Sequence, residues 1–368
     1  MTTLSQTTCG RLGLADIADK VSRLERLSLE DGERLFRCPD PVAVGQLAHW
    51  MRTRKHGLRT TYVLNRQMNY TNICVNHCSF CAYHRQKGET GAFELSLAEV
   101  EHKLAETSAS SLSEIHIVGG CHPELPLSYY LELLRRVRSL APQATLKCFT
   151  PVEIVHFAHR ERMDYRDILV QLKEAGLEML PGGGAEIFAP EVRRKICPSK
   201  IDGETWLEVC RTAHGLGLKT NCTMLFGHLE TVRHRLEHLD SLRRLQDETG
   251  GFVCFIPLPF LTKHSRLQGV TPLSGIDELK TIAVSRLMLD NIDHIKSYWI
   301  MLGLKQAQTA LYFGANDLDG TVVEEKIGHM AGVDSPQVLS RAELAAMIEG
   351  CGLHPVERDG LFRPLEGR

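Results

Sequence analysis

From residue 62 almost to the C-terminus, short apolar runs rich in β-branched and aromatic residues alternate with longer stretches whose apolar positions recur at helical spacing. The runs predict strands at 62–68 (YVLNRQM), 114–119 (EIHIVG), 144–149 (ATLKCF), 177–181 (LEMLP), 219–225 (KTNCTML), 252–256 (FVCFI), 295–300 (IKSYWI) and 309–313 (TALYF). The periodic stretches predict helices at 96–108, 127–140, 164–175, 203–216, 230–248 and 277–291. Ser96 and Glu99 form a capping box, and Gly176 and Gly217 follow their helices as C-terminal stops. Strands alternating with helices argue for parallel βαβ units, and eight repeats predict an α/β chain folded as a (β/α)8 TIM-type barrel over 61–335. Residues 1–60 read as an N-terminal helical extension. Residues 336–368, opened by Ser340 and Glu343, read as a C-terminal helical tail packed on the barrel.

Composition adds mainly exclusions. Lysine plus arginine (43) nearly balance aspartate plus glutamate (45), which gives no footing for nucleic acid or a membrane surface. There is no apolar signal region and no uncharged apolar run of about 18 residues. Twelve cysteines scattered through a long chain read as reduced thiols of a cytoplasmic protein.

Three of those cysteines change the picture. Cys74, Cys78 and Cys81 stand in NYTNICVNHCSFCAYHR with C-x3-C-x2-C spacing. One loop of this kind can hold three irons of a [4Fe-4S] cluster and leave the fourth open, whereas an electron-transfer cluster normally takes four cysteines. The alternatives are a zinc knuckle, with His77 or His84 nearby, or three ordinary buried cysteines. The loop follows the first predicted strand, the end of a barrel strand where chemistry sits.

The loops after other strands carry further candidates. Gly119 and Gly120 allow close backbone approach to a ligand, or a plain tight turn. Glu153 in FTPVEI is placed to accept hydrogen bonds from ribose hydroxyls, or is a solvated loop residue. Gly183 lies in PGGGAEIF, where three glycines suit packing against a flat or anionic ligand; Glu186 follows. Asn316, Asp317 and Asp319 are placed to line the barrel mouth, or form a turn. The nine other cysteines read as small buried hydrophobes.

The cysteine spacing resembles that of the radical SAM enzymes. That resemblance implies S-adenosylmethionine (SAM) on the open iron, Phe80 at the aromatic position of the loop, and Gly119 and Gly120 near the methionine amino group. Cys121 follows where such enzymes usually carry an acidic residue, with His122 and Glu124 nearby. TMLFGHLE resembles an adenine-contacting segment, with Leu225, Gly227 and Glu230 aligned. Over about residues 60–358, the order NYTNICVNHCSFCAY, HIVGG-x-HP, PGGGAEIF, LDNI-x-HIK-x-YWIMLG and GAND-x-DGTVVEEKI is similar to the aminofutalosine synthase family of menaquinone biosynthesis. Cyclic dehypoxanthine futalosine synthase and the deazaflavin-building radical enzymes share part of it. The resemblance implies addition of a 5′-deoxyadenosyl radical to 3-[(1-carboxyvinyl)oxy]benzoate, with SAM consumed and reduced flavodoxin or ferredoxin as electron donor. A dicarboxylate substrate asks for basic partners, and Arg66, His116, His122, Arg193 and Lys296 are candidates. Rivals of another class are a non-catalytic iron–sulfur protein and a zinc-stabilised binding module.

Overall fold

The computed structural model describes residues 6–106 and 111–365. Its frame is ten strands: β1 (Arg59–Val63), β2 (Asn65–Met68), β3 (Glu114–Ile117), β4 (Thr145–Cys148), β5 (Met179–Leu180), β6 (Lys219–Phe226), β7 (Phe252–Pro259), β8 (His294–Ile295), β9 (Asp317–Gly320) and β10 (His354–Arg358). Strands β2 to β8 lie side by side in chain order, all parallel, as a curled seven-stranded half-barrel. Helices between them cover the outer face, so β2 and β4 are buried at every position. The expected α/β parallel architecture is what the chain adopts.

Closure differs from eight equal repeats. A second parallel sheet, ordered β10-β1-β9, shares its chain run with β2, from which β1 is separated only by Leu64. Isolated bridges Lys296↔Asp317 and Arg66↔Val323 carry the ring from β8 across β9 to β2. The eighth strand expected at 309–313 is helical instead: Leu304–Ala310 continues into a 3-10 turn, Leu311–Phe313. Ala307, Ala310 and Leu311 are its buried positions, a helical spacing that overrides the β-propensity of LYF. Likewise only His294–Ile295 of 295–300 and its flank is extended, and Trp299–Leu302 is a helical turn.

The ends are also more integrated than expected. Helices Gln6–Arg11, Ala15–Ser22, Leu29–Arg37 and Pro41–His56 form the N-terminal extension. Ile17, Val21 and Leu35 join the same apolar cluster as Leu236 and Met288, each such burial stabilising by about 1.5–3 kcal/mol. The fully buried Arg52 donates to the carbonyls of Gly57 (2.6 Å) and Arg59 (2.8 Å), fixing the turn into β1. At the C-terminus the Ser340–Glu343 capping box opens Arg341–Glu349, but the tail then supplies β10 to the sheet. It is not purely helical.

Candidate active site

The cysteine loop lies between β2 and the helix Leu97–Ala105, and backbone hydrogen bonds hold it from three directions. The Cys74 N–H donates to Arg85 O (3.1 Å), Val75 N–H to Cys121 O (3.0 Å), and Ser79 N–H to Ile196 O (2.8 Å). The Cys74 sulfur accepts the N–H groups of Cys121 (3.3 Å) and Asn76 (3.4 Å). A hydrogen bond from the Cys121 thiol, helped by those amides, pulls the Cys74 thiol down to about 6. Burial pushes Cys78 up to about 12 and raises Cys81 as well.

These residues fit an iron–sulfur cluster. All three thiols are free, on one loop, with amide donors already aimed at one sulfur, as second-sphere hydrogen bonds to cluster sulfurs require. Among the described residues, no three cysteine, histidine or carboxylate groups converge on one point as the ligands of a single ion do. His84, the alternative ligand, is engaged elsewhere, with Nδ1 2.9 Å from Cys81 O and Nε2 3.3 Å from Arg266. Of the nine remaining cysteines eight are buried, the exception being the half-buried Cys351.

A cavity of about 350 Å³ runs from this loop into the barrel. Cys74, Phe80, Cys81, Gly119, Gly120, Gly183 and Leu225 all line it, as do Glu153, His116 and Asp319. Cys78 is buried just behind the wall.

Gly120 is crowded by the cysteine loop. A Cβ there would overlap the Ile73 carbonyl and lie 2.9 Å from Cys74 Cβ. The glycine therefore lets the cysteine loop lie directly on the turn after β3. Gly182 has φ +78° and packs against the Asn221 carbonyl, a left-handed position that a side chain would both strain and block. Arg193, buried behind that loop, donates to Ala185 O (2.5 Å), Ile187 O (3.1 Å) and the Ile201 carbonyl. It braces the glycine segment and does not line the cavity.

Glu153 departs from the ribose-binding expectation. It is the N3 residue of an unforeseen helix, Pro151–Glu161, capped by Thr150. Its Oε1 accepts from Tyr70 Oη (2.7 Å) and Gly119 N–H (3.1 Å); its Oε2 accepts from Thr150 N–H (2.7 Å) and Thr150 Oγ1 (2.8 Å). Those four donors fill the acceptor sites of a carboxylate and leave none for a ribose hydroxyl. Burial pushes its carboxyl up to about 7, against the four donors that favour the ionised form.

Three other candidates lie away from the cavity. Arg66 alternates with the inward Gln67 along β2, so it points outward, where it pairs with Glu324 at 2.6 Å. His122 accepts the N–H groups of Glu124 and Leu125 on Nδ1 (both 3.0 Å), and its Nε2 lies 2.7 Å from Glu94. It holds the turn. Asn316 precedes β9, at the end of the strands opposite the cysteine loop, and its Oδ1 accepts from Arg286 (2.6 Å) and Ile295 N–H (3.0 Å).

The sequence reading missed Lys147, Lys200 and Asn221 on the cavity wall. Lys200 Nζ donates to Glu186 Oε1 at 2.6 Å and sits 5.2 Å from the Phe80 ring centroid. A signal existed for the other two: ATLKCF and KTNCTML each carry a strongly polar residue mid-strand in an otherwise buried run. In a parallel sheet covered by helices such a residue must face the barrel interior or be paired.

Comparison with known proteins decides the family. The radical SAM superfamily pattern matches residues 68–242, and the CofH/MqnC C-terminal region matches 249–366. The aminodeoxyfutalosine synthase of Thermus thermophilus is 48% identical over 96% of this chain and 96% of its own. That of Streptomyces coelicolor is 44% identical over 95% and 93%. The chain belongs to the radical SAM superfamily, among the relatives of aminodeoxyfutalosine synthase. It is a SAM-dependent enzyme of the transfer type. A 5-amino-6-(D-ribitylamino)uracil–L-tyrosine 4-hydroxyphenyl transferase of Methanopyrus kandleri is 39% identical over 89% of the chain and 90% of its own. Among solved structures, methylornithine synthase (TM-score 0.71, 19% identity, 92% and 96% coverage) and the hydrogenase maturase HydG of Carboxydothermus hydrogenoformans (0.76, 18%, 97% and 82%) share the fold. Radical SAM family membership implies a [4Fe-4S] cluster and SAM. Among the described residues, no helix is long and apolar enough to cross a membrane.

Proposed function

We propose that this radical SAM enzyme is an aminodeoxyfutalosine synthase. It joins the 5′-deoxyadenosyl group of SAM to the enol-ether double bond of 3-[(1-carboxyvinyl)oxy]benzoate. Rearrangement onto the ring and loss of a carboxylate as CO2 or bicarbonate then give 6-amino-6-deoxyfutalosine and methionine. Cys74, Cys78 and Cys81 would hold the cluster, which, reduced by one electron from flavodoxin or ferredoxin, would supply the radical from bound SAM and take the electron back as the carboxylate leaves. The chain's own part is to seat both reactants and exclude water.

The observation that carries this reading is one continuous cavity with the cysteine loop at its mouth and buried ammonium groups at its far end. That suits a substrate with an apolar body and a remote anionic group. The greater identity to the two synthases than to the tyrosine-using transferase supports the same choice. Phe80, Gly119, Gly120, Gly183 and Leu225 are the residues we assign to SAM.

Anaerobic turnover with dithionite, SAM and the enolpyruvyl benzoate, read by mass spectrometry, tests it. A nucleoside adduct is expected. Free 5′-deoxyadenosine without adduct points instead to a hydrogen-abstracting relative, and no SAM cleavage at all removes the radical reading.

A further inference from the structure

We infer that the floor of the cavity, formed by His116, Lys147, Asn221 and Lys296, is a carboxylate subsite that seats the ring carboxylate of the substrate. The enol-ether end is thereby turned toward the cysteine loop. The inference rests on the synthase reading and assigns the end of the site farthest from the cluster.

Strand register places these groups together. Gln67 pairs with His116 and His116 with Lys147 across β2, β3 and β4, and neighbours in register on parallel strands project to the same face. Asn221, Thr223 and Leu225 are successive inward positions on β6, and all three line the cavity. Leu225 stands about 13 Å above Asn221 at about 3.3 Å per residue, so the cavity spans the length of an aryl ether from floor to mouth. Lys296 follows β8 directly and completes the floor beside β9.

Donors on this floor outnumber the protein acceptors that reach them. Each ammonium group has three N–H bonds. Lys147 gives one to Glu114 Oε1 (2.5 Å), and Lys296 gives one to Asp319 Oδ1 (2.5 Å), with Asp317 at 3.6 Å. The side-chain exposures of Lys147 and Lys296 are only 3% and 2%. His116 Nε2 is buried without a hydrogen-bond partner. Burial, reinforced by Lys147, holds His116 neutral with its imidazolium near 3, so Nε2 can carry a proton to donate. Glu114 and Asp317 stand behind the two ammonium groups and are not on the cavity wall; Asp319 is on it, with its Oδ1 engaged by Lys296. A ligand with two acceptor oxygens at the floor can take N–H bonds that Lys147, Lys296 and His116 do not give to these carboxylates.

The test uses reconstituted enzyme with SAM bound. Equilibrium affinity is measured for 3-[(1-carboxyvinyl)oxy]benzoate and for the same enol ether lacking the ring carboxylate. Wild type is expected to prefer the benzoate by about tenfold or more. Lys147→Met and His116→Leu are expected to lose most of that preference while binding the carboxylate-free ether nearly as before. Iron content and SAM binding report folding; if Lys147→Met fails them, His116→Leu, which strands no charge, carries the test. Variants that keep the full preference, in an enzyme that converts the benzoate, overturn the subsite alone. Wild type that binds neither ether overturns the synthase reading and the subsite with it.

Discussion

The hydroxyl of Tyr70 donates to Oε1 of Glu153 across 2.7 Å, in a space that both residues leave almost wholly closed to solvent. Tyr70 stands at the start of the cysteine loop, and Glu153 in the first turn of the helix after β4. Because the same oxygen holds the Gly119 amide, this bond ties the loop, the glycine turn and a helix N-terminus into one unit. Glu153 acts on the site through Gly119 rather than on a ligand.

Glu153→Gln is therefore not a conservative change. Every neighbour of the carboxylate is a donor, so the amide NH2 must face one of them. A loss of about 1–3 kcal/mol is expected, together with weaker SAM binding, measured by urea denaturation and calorimetry at pH 8. Wild-type stability and affinity in this variant would remove Glu153 from the scaffold.

Cys78→Ala, Cys74→Ala and Cys81→Ala should each lose most cluster iron and all SAM cleavage after anaerobic reconstitution. Cys121→Ala should keep its iron, because it is the Cys121 backbone N–H that reaches the Cys74 sulfur. Iron loss in Cys121→Ala equal to that in Cys78→Ala would instead make Cys121 a ligand.

Gly120→Ala places a methyl group against the Ile73 carbonyl and Cys74 Cβ, backbone and near-backbone atoms that cannot swing aside. A cost of about 1–3 kcal/mol is expected, with reduced iron uptake. The contrast is Gly215→Ala, where nothing lies within 4 Å of the added carbon and no loss is expected.

The fully buried Arg358 of β10 donates to Asp317 from Nε (2.6 Å) and from an Nη (3.0 Å). Arg358→Met breaks that pair from one side, and removal of one member of a buried pair costs about 3–5 kcal/mol. Thermal unfolding checks it. A variant of unchanged stability would mean that the C-terminal strand contributes little to closure.

Glu114 supplies a pH dependence. Burial alone would raise its carboxyl, but Lys147 and Arg358 outweigh it and hold it down to about 2 from 4.5. A depressed folded value contributes stability that is present above the unfolded value, 4.5, and lost as pH falls toward 2. The shift corresponds to about 3 kcal/mol at most. Denaturant midpoints of wild type should thus fall more steeply than those of Glu114→Gln between about pH 5 and pH 3. Parallel slopes would count against the Lys147–Glu114 pair as a source of acid sensitivity.

Part of this is legible in the sequence because the interactions are local. The three cysteines lie within eight residues, and the capping pairs Ser96–Glu99 and Ser340–Glu343 close their own helix turns. The helix 127–140 matches its periodicity to the residue. The Thr150–Glu153 pair carries the same capping signature and opens the helix Pro151–Glu161.

The sequence by itself determined the three-cysteine loop, the α/β alternation and the family, since each depends on residues close in the chain or on their order. Tertiary structure decided which polar residues face inward. Alternation along β2 separates Arg66 from Gln67, but only the packing of helices on one side and cavity on the other says which of the two is inside. The floor is drawn from strands between His116 and Lys296, and no local pattern states their register. The same long-range pairing set β10 beside β1 and turned part of an expected helical tail into a strand of the second sheet.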